Sequence, residues 1–128
     1  MRLTADDCIL VNIDFQDRLL PHMHNNEMLV EKTIKLIKGM KLLDVPMLTT
    51  QQYTRGLGYT DKRISEALGY ENPEDLPFIE KTAFSAMECQ EFLKQLEAAG
   101  RRNVLIAGIE GHVCVTQTIV DLKAAGFT

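Results

Sequence analysis

Cys8-Ile9-Leu10-Val11-Asn12-Ile13-Asp14 is the stretch on which the fold turns. A strand with one face in water alternates apolar and polar residues. Here only Asn12 interrupts the apolar run, as expected of a strand covered on both faces, and such strands belong to parallel sheets. The run ends at Asp14, which puts a carboxylate at the strand's carboxyl end.

Downstream, strands of the same kind alternate with amphipathic segments. Pro21 and Asn25-Asn26 break the chain. Leu29, Val30, Thr33, Ile34, Ile37 and Met40 then recur at helical spacing, which predicts a helix from 26 to about 43. Val45 to Thr50 reads as strand two, with Pro46 near its start, where a missing N–H is tolerated. Residues 51–60 are polar and contain two glycines, hence a loop, and Ile64, Ala67 and Leu68 predict a short helix closed by Gly69. A short third strand falls within Phe78 to Ala83. Ser85-Ala86-Met87-Glu88 has the capping-box pattern and predicts a helix from there through Phe92 and Leu96 to Gly100. Asn103 to Ala107 is strand four, and Gly108 to Gly111 turns the chain. A last helix, from about 113 to 125, has apolar residues on more than one face and is expected to be well buried.

This alternation predicts an α/β fold: a three-layer, Rossmann-like parallel sheet with helices on both faces. A length of 128 residues, 45% of them hydrophobic, suits one domain, 1–128. Only Gly126-Phe127-Thr128 follows the last helix, where a return strand is due, so the domain is expected to be incomplete at its C-terminus.

Composition narrows the function. The net charge of −4 provides no electrostatic footprint for nucleic acid. No apolar run is long enough to span a membrane. The acidic N-terminus lacks the core of a signal peptide, so a cytoplasmic protein is expected. Cys8, Cys89 and Cys114 are odd in number and form no C-x-x-C, against a disulfide framework or a structural zinc. His22-x-His24 has no third ligand at a recognised spacing, and no dinucleotide or Walker pattern occurs. Neither a metal nor a cofactor is expected.

In open parallel sheets ligands bind beyond the carboxyl ends of the strands, where strand order reverses. Asp14 ends strand one, and Gly108 to Cys114 follows strand four. If those strands are neighbours, Asp14 and Cys114 face one crevice. Near the start of a helix, unpaired N–H groups favour a thiolate, and the thiolate is the nucleophilic form. Cys114 is therefore either a nucleophile or a small core residue packed under the helix. Asp14 is either its base or a turn cap, and Lys81 taken alone reads as a surface lysine. His112, two residues from Cys114, either pairs with the thiol or points away from it.

Three motifs then resemble one family, the isochorismatase-like cysteine hydrolases. Ile13-Asp14-Phe15-Gln16-Asp17 resembles its opening I/V-D-x-Q motif, and Lys81-Thr82-Ala83-Phe84-Ser85-Ala86 resembles its lysine segment. Gly108-Ile109-Glu110-Gly111-His112-Val113-Cys114 resembles its nucleophile turn. Together they run in the family's order over nearly the whole chain. The resemblance implies a Cys114–Asp14–Lys81 triad and a thioester-type acyl-enzyme. It also implies a cis peptide between Ile109 and Glu110, and an oxyanion hole from the backbone N–H groups of Glu110 and Cys114. It further implies a homo-oligomer and a six-stranded sheet of order 3-2-1-4-5-6, of which this chain provides 3-2-1-4.

Departures from the family narrow the reading. Metal-dependent nicotinamidases carry an Asp and two His after strand two. Thr50-Gln51-Gln52-Tyr53-Thr54 has neither, which argues against a catalytic zinc and against nicotinamide as substrate. True isochorismatases lack the cysteine, and this chain resembles the family's uncharacterised isochorismatase-domain branch. The expectation is a metal-independent hydrolase of a small amide, ureido or ester-type molecule, with a pocket walled by Phe15, Gln16, Tyr53 and Leu57. The alternatives are a non-catalytic oligomeric scaffold or binding module of the same fold, and a redox-sensing thiol for which no resolving cysteine is evident.

Overall fold

The computed structural model describes residues 2–128. Strand β1 spans Cys8–Ile13 and is buried along its whole length, as its continuous apolar run requires. It is followed by α1 (Asn26–Leu42), β2 (Met47–Gln52), a single turn α2 (Thr54–Leu57), and α3 (Lys62–Ala67). The remaining elements are β3 (Ile79–Lys81), α4 (Gln90–Ala99), β4 (Asn103–Gly108) and α5 (Thr116–Ala124). All strand pairs are parallel and the order is β3-β2-β1-β4. The chain therefore reverses its direction of travel across the sheet between β1 and β4, which is the switch point.

Two apolar layers enclose the sheet. Leu10 packs with Phe15, Leu20, Val30, Ile37 and Ile64 beneath α1 and α3. Ile9, Val11 and Ile13 face the other way and pack with Phe92, Leu96 and Leu122 of α4 and α5. Each fully buried aliphatic or aromatic side chain contributes about 1.5–3 kcal/mol, and both layers depend on the central strand. The sheet is thus a three-layer α/β arrangement.

Three local expectations need correction. Ser85 does not start α4. Its side chain accepts from the Met87 N–H at 3.2 Å and caps a separate turn, Ala86–Glu88, after which α4 begins at Gln90. The Ala86 N–H donates across to Thr118 Oγ1 at 3.0 Å, which ties this turn to α5. The last helix is unbroken but not α-helical throughout. Gly111–Val115 forms a wide π-turn, and α5 proper starts at Thr116. Finally, α5 is buried on one face only: Thr118 and Leu122 are inside, whereas Ile119 and Val120 are exposed.

Candidate active site

The strand register brings the site together. Ile13 is level with both Thr50 and Gly108, and Gln52 is level with Lys81. The carboxyl ends of all four strands therefore open on one edge of the sheet. Gly108 lets β4 run close beside β1, because a Cβ there would lie 2.5 Å from both Ile13 Cβ and Ile13 O. The Ile109 N–H then donates to Ile13 O at 3.0 Å, and the Ile109–Glu110 peptide is cis. That geometry turns the chain into the Gly111–Val115 segment that carries Cys114.

Asp14 stands at the end of β1 in the left-handed region, with φ of 53°. Aspartate tolerates this conformation better than most residues, although it still costs about 1–3 kcal/mol. Its N–H donates to Thr50 O at 3.2 Å, so β2 pins the backbone. The carboxylate is fully buried. Thr50 Oγ1 donates to Oδ1 at 2.8 Å, and Lys81 Nζ lies 2.9 Å from Oδ2. Lys81 is not a surface lysine: its side chain is fully enclosed. Its ammonium donates to Gln52 Oε1 (2.7 Å), Phe84 O (2.9 Å) and Ala83 O (3.1 Å). Three protons thus meet three neutral oxygens. Oδ2 of Asp14 faces the positive charge with no hydrogen-bond donor aligned on it.

Cys114 is 6% exposed and packs in the apolar layer under α4 and α5. Its thiol interacts with both Asp14 and Lys81. The nearness of a helix start was expected to lower its pKa; the thiol is instead pushed up to about 11. Burial is the largest cause, and the negative charge of Asp14 adds to it, while the positive charge of Lys81 opposes both. The resting group is a thiol beside a carboxylate, which makes proton transfer part of any nucleophilic step.

Other sequence candidates fall outside this cluster. Phe15, expected in a pocket wall, is 1% exposed and belongs to the core beneath α1 and α3. Gln16 is likewise no wall residue, for it is fully buried and its amide is taken up by the Gln52 peptide and Gly58 O. Tyr53 is exposed, with its ring against Gly56 of its own loop, and Leu57 is half-buried in the same loop. The His112 side chain is 80% exposed, with Nε2 3.8 Å from Glu110 Oε2, and points into solvent. His22 and His24 are both exposed.

Three residues that no sequence motif marks complete the site: Thr50, Gln52 and Thr118. Thr50 and Gln52 are two apart at the end of β2, so strand periodicity puts them on the face that Lys81 shares. Thr118 Oγ1 accepts from the Ala86 N–H and donates to Cys114 O at 2.7 Å, tying the lysine segment to the nucleophile turn. A threonine four residues after the cysteine is the only signal the sequence offered for it.

A parallel α/β sheet with a thiol, a carboxylate and an ammonium enclosed at its switch point defines a class of Rossmann-like domains. The isochorismatase domain family model matches residues 8–128, and the chain belongs to that family. It is similar to the secreted isochorismatase effector Isc1 of Phytophthora sojae, 33% identical over 128 residues that cover 98% of this chain and 60% of the relative. Among solved structures it resembles the MAR1 ribonuclease of Caenorhabditis elegans, with 30% identity and a TM-score of 0.88, covering 100% of this chain and 63% of that one. The YcaC gene product of Escherichia coli, described as an octameric hydrolase of unknown specificity, shares the fold at 22% identity and a TM-score of 0.87, covering 98% and 61%. The chain thus spans about three fifths of these relatives' length.

Proposed function

We propose that this domain is a metal-independent cysteine hydrolase acting on a small amide, ureido or ester-type substrate. The observation that carries the reading is the burial of Cys114 within electrostatic reach of the enclosed Asp14–Lys81 ion pair at the strands' carboxyl ends. Asp14 Oδ2 takes the Sγ proton as sulfur bonds to the substrate carbonyl carbon, and the carbonyl's π pair moves onto oxygen. Backbone N–H groups of Glu110 and Cys114 receive that oxyanion. Its collapse expels the amine or alcohol, which takes the proton from Asp14 and leaves a thioester. Water, deprotonated by Asp14, then attacks the thioester, and the departing sulfur recovers the proton. Lys81 remains charged throughout and favours each anionic sulfur species. Self-association of subunits and a cytoplasmic setting belong to the same proposal, although Isc1 is named as secreted.

Intact-mass spectrometry during turnover of a panel of small amides, ureas and esters tests this. An acyl adduct on Cys114 is expected, and Cys114→Ala should reduce turnover to background. Turnover that survives the substitution would remove Cys114 as nucleophile. A folded protein inert to the whole panel would favour the scaffold reading. The nematode relative is named a ribonuclease, so RNA is a necessary member of the panel. Cleavage of RNA alone would replace the carbonyl chemistry, against which the net charge of −4 argues.

A further inference from the structure

We propose that Gln52 is a positioning residue that fixes the charge of Lys81 against Asp14 and Cys114, and that Gln16 locks Gln52 in turn; this rests on the triad reading above. A lysine side chain has four rotatable carbons, and a buried ammonium settles wherever its three protons find oxygens. Two of the oxygens here are the carbonyls of Ala83 and Phe84, from the segment that follows Lys81 itself. The third, Gln52 Oε1 at 2.7 Å, is the shortest of the three and the only one that comes from another strand. Beside the ion pair with Asp14, it is the hydrogen bond that ties the ammonium to the sheet rather than to its own loop.

The Gln52 amide has one orientation available. Its Nε2 donates to Thr82 O at 3.0 Å, which leaves Oε1 for the ammonium. Its backbone is held just as firmly. The Gln52 N–H donates to Gln16 Oε1 at 2.6 Å, and Gln16 Nε2 donates back to Gln52 O at 2.9 Å. This two-way pairing of a side-chain amide with a peptide continues the sheet's bonding past the point where β1 has ended. Gln16 Nε2 also donates to Gly58 O at 2.8 Å, so the loop after β2 is tied to the same amide. Gln16 is fully buried, so its end of these bonds is shielded from bulk water. Because the ammonium's protons all go to neutral oxygens, Lys81 acts as a fixed positive charge rather than as a proton donor.

The test needs no substrate. The rate at which iodoacetamide modifies each cysteine, read by peptide mass spectrometry at about pH 8, reports the thiolate fraction of Cys114 beside Cys8 and Cys89 as internal references. Lys81→Met sets the scale, since losing the positive charge should slow modification of Cys114. Gln52→Met removes the acceptor at similar volume. It should slow Cys114 severalfold, in the same direction as Lys81→Met and by a smaller factor, with Cys89 unchanged. If Gln52→Met leaves the Cys114 rate as it was while Lys81→Met slows it, Gln52 does not position the lysine. Faster modification of all three cysteines would mean that Gln52 merely supports the fold, which equally overturns the proposal. If Lys81→Met itself has no effect, the triad reading fails, and that outcome is distinct from the other two.

Discussion

The two faces of β1 come from one strand and serve different ends. On the α1 and α3 side, Leu10 meets Phe15, Leu20, Val30, Ile37 and Ile64 in a mainly apolar layer, with the buried Asn12 two residues on from Leu10 as a polar exception. On the α4 and α5 side, Ile9, Val11 and Ile13 lay an apolar floor with Phe92, Leu96 and Leu122, and the thiol of Cys114 rests in it. At the carboxyl edge of that floor stand Asp14, Thr50, Gln52 and Lys81. The first face needs only suitable volume at the right period, and such layers tolerate hydrophobic exchange. The second encloses a charged pair whose desolvation is costly, so it persists only where each polar atom is held in place. Lys81 meets that condition through three neutral oxygens, and Asp14 meets it through Thr50 on one oxygen and the ammonium on the other.

That contrast can be broken in both directions, beginning with the largest effect. Asp14→Asn should lower turnover by roughly 10²–10⁴-fold through loss of the base, measured on protein shown to be folded by circular dichroism. The same substitution should make the Cys114 thiol more acidic. The carboxylate raises that pKa by its charge, so the alkylation midpoint should move down from about 11. Burial, the largest cause, remains, and the midpoint should stay above the ordinary ~8.5 of a free cysteine. A more acidic thiol in a slower enzyme would separate the two roles of Asp14. Unchanged turnover would deny it the role of base.

Phe15→Ala probes the other face and should cost about 3–5 kcal/mol in urea unfolding, the usual loss for a buried phenylalanine. A much smaller loss would return Phe15 to the pocket wall. Gly108→Ala addresses the seam between faces. With Ile13 Cβ and O both 2.5 Å from the new Cβ, β1 and β4 must separate, at a cost of about 1–3 kcal/mol. Cys114 alkylation should respond as well, because Gly108 leads into its turn. Asp61→Ala is the mildest. Its side chain accepts from the Arg63 and Ile64 N–H groups at the start of α3, and losing that cap should cost about 1 kcal/mol with no change at Cys114. A change in the thiol there would mean that the two faces are more tightly coupled than their packing indicates.

Hydrophobic period and chain order are local properties, and they were sufficient for much of this domain. The continuous run of β1, the helical spacing of α1 and the strand–helix alternation determined a parallel α/β sheet, and the three motifs ordered it as β3-β2-β1-β4. The same motifs picked out Asp14, Lys81 and Cys114. What they did not reveal depends on contacts between distant segments. The 3.0 Å bond from Ala86 to Thr118 ties to α5 a turn that in sequence reads as the start of α4. Burial beside Asp14 raises a thiol that its place in the chain suggested should be acidic. Gln16 and Phe15 look like loop residues beside a motif aspartate, yet one joins β1 to Gln52 and the other fills the core. Sequence pattern determines which face a residue takes, because that follows from local periodicity. Only the tertiary structure decides what a buried polar atom meets, because its partner lies on another strand and its charge is set by how much water that strand excludes.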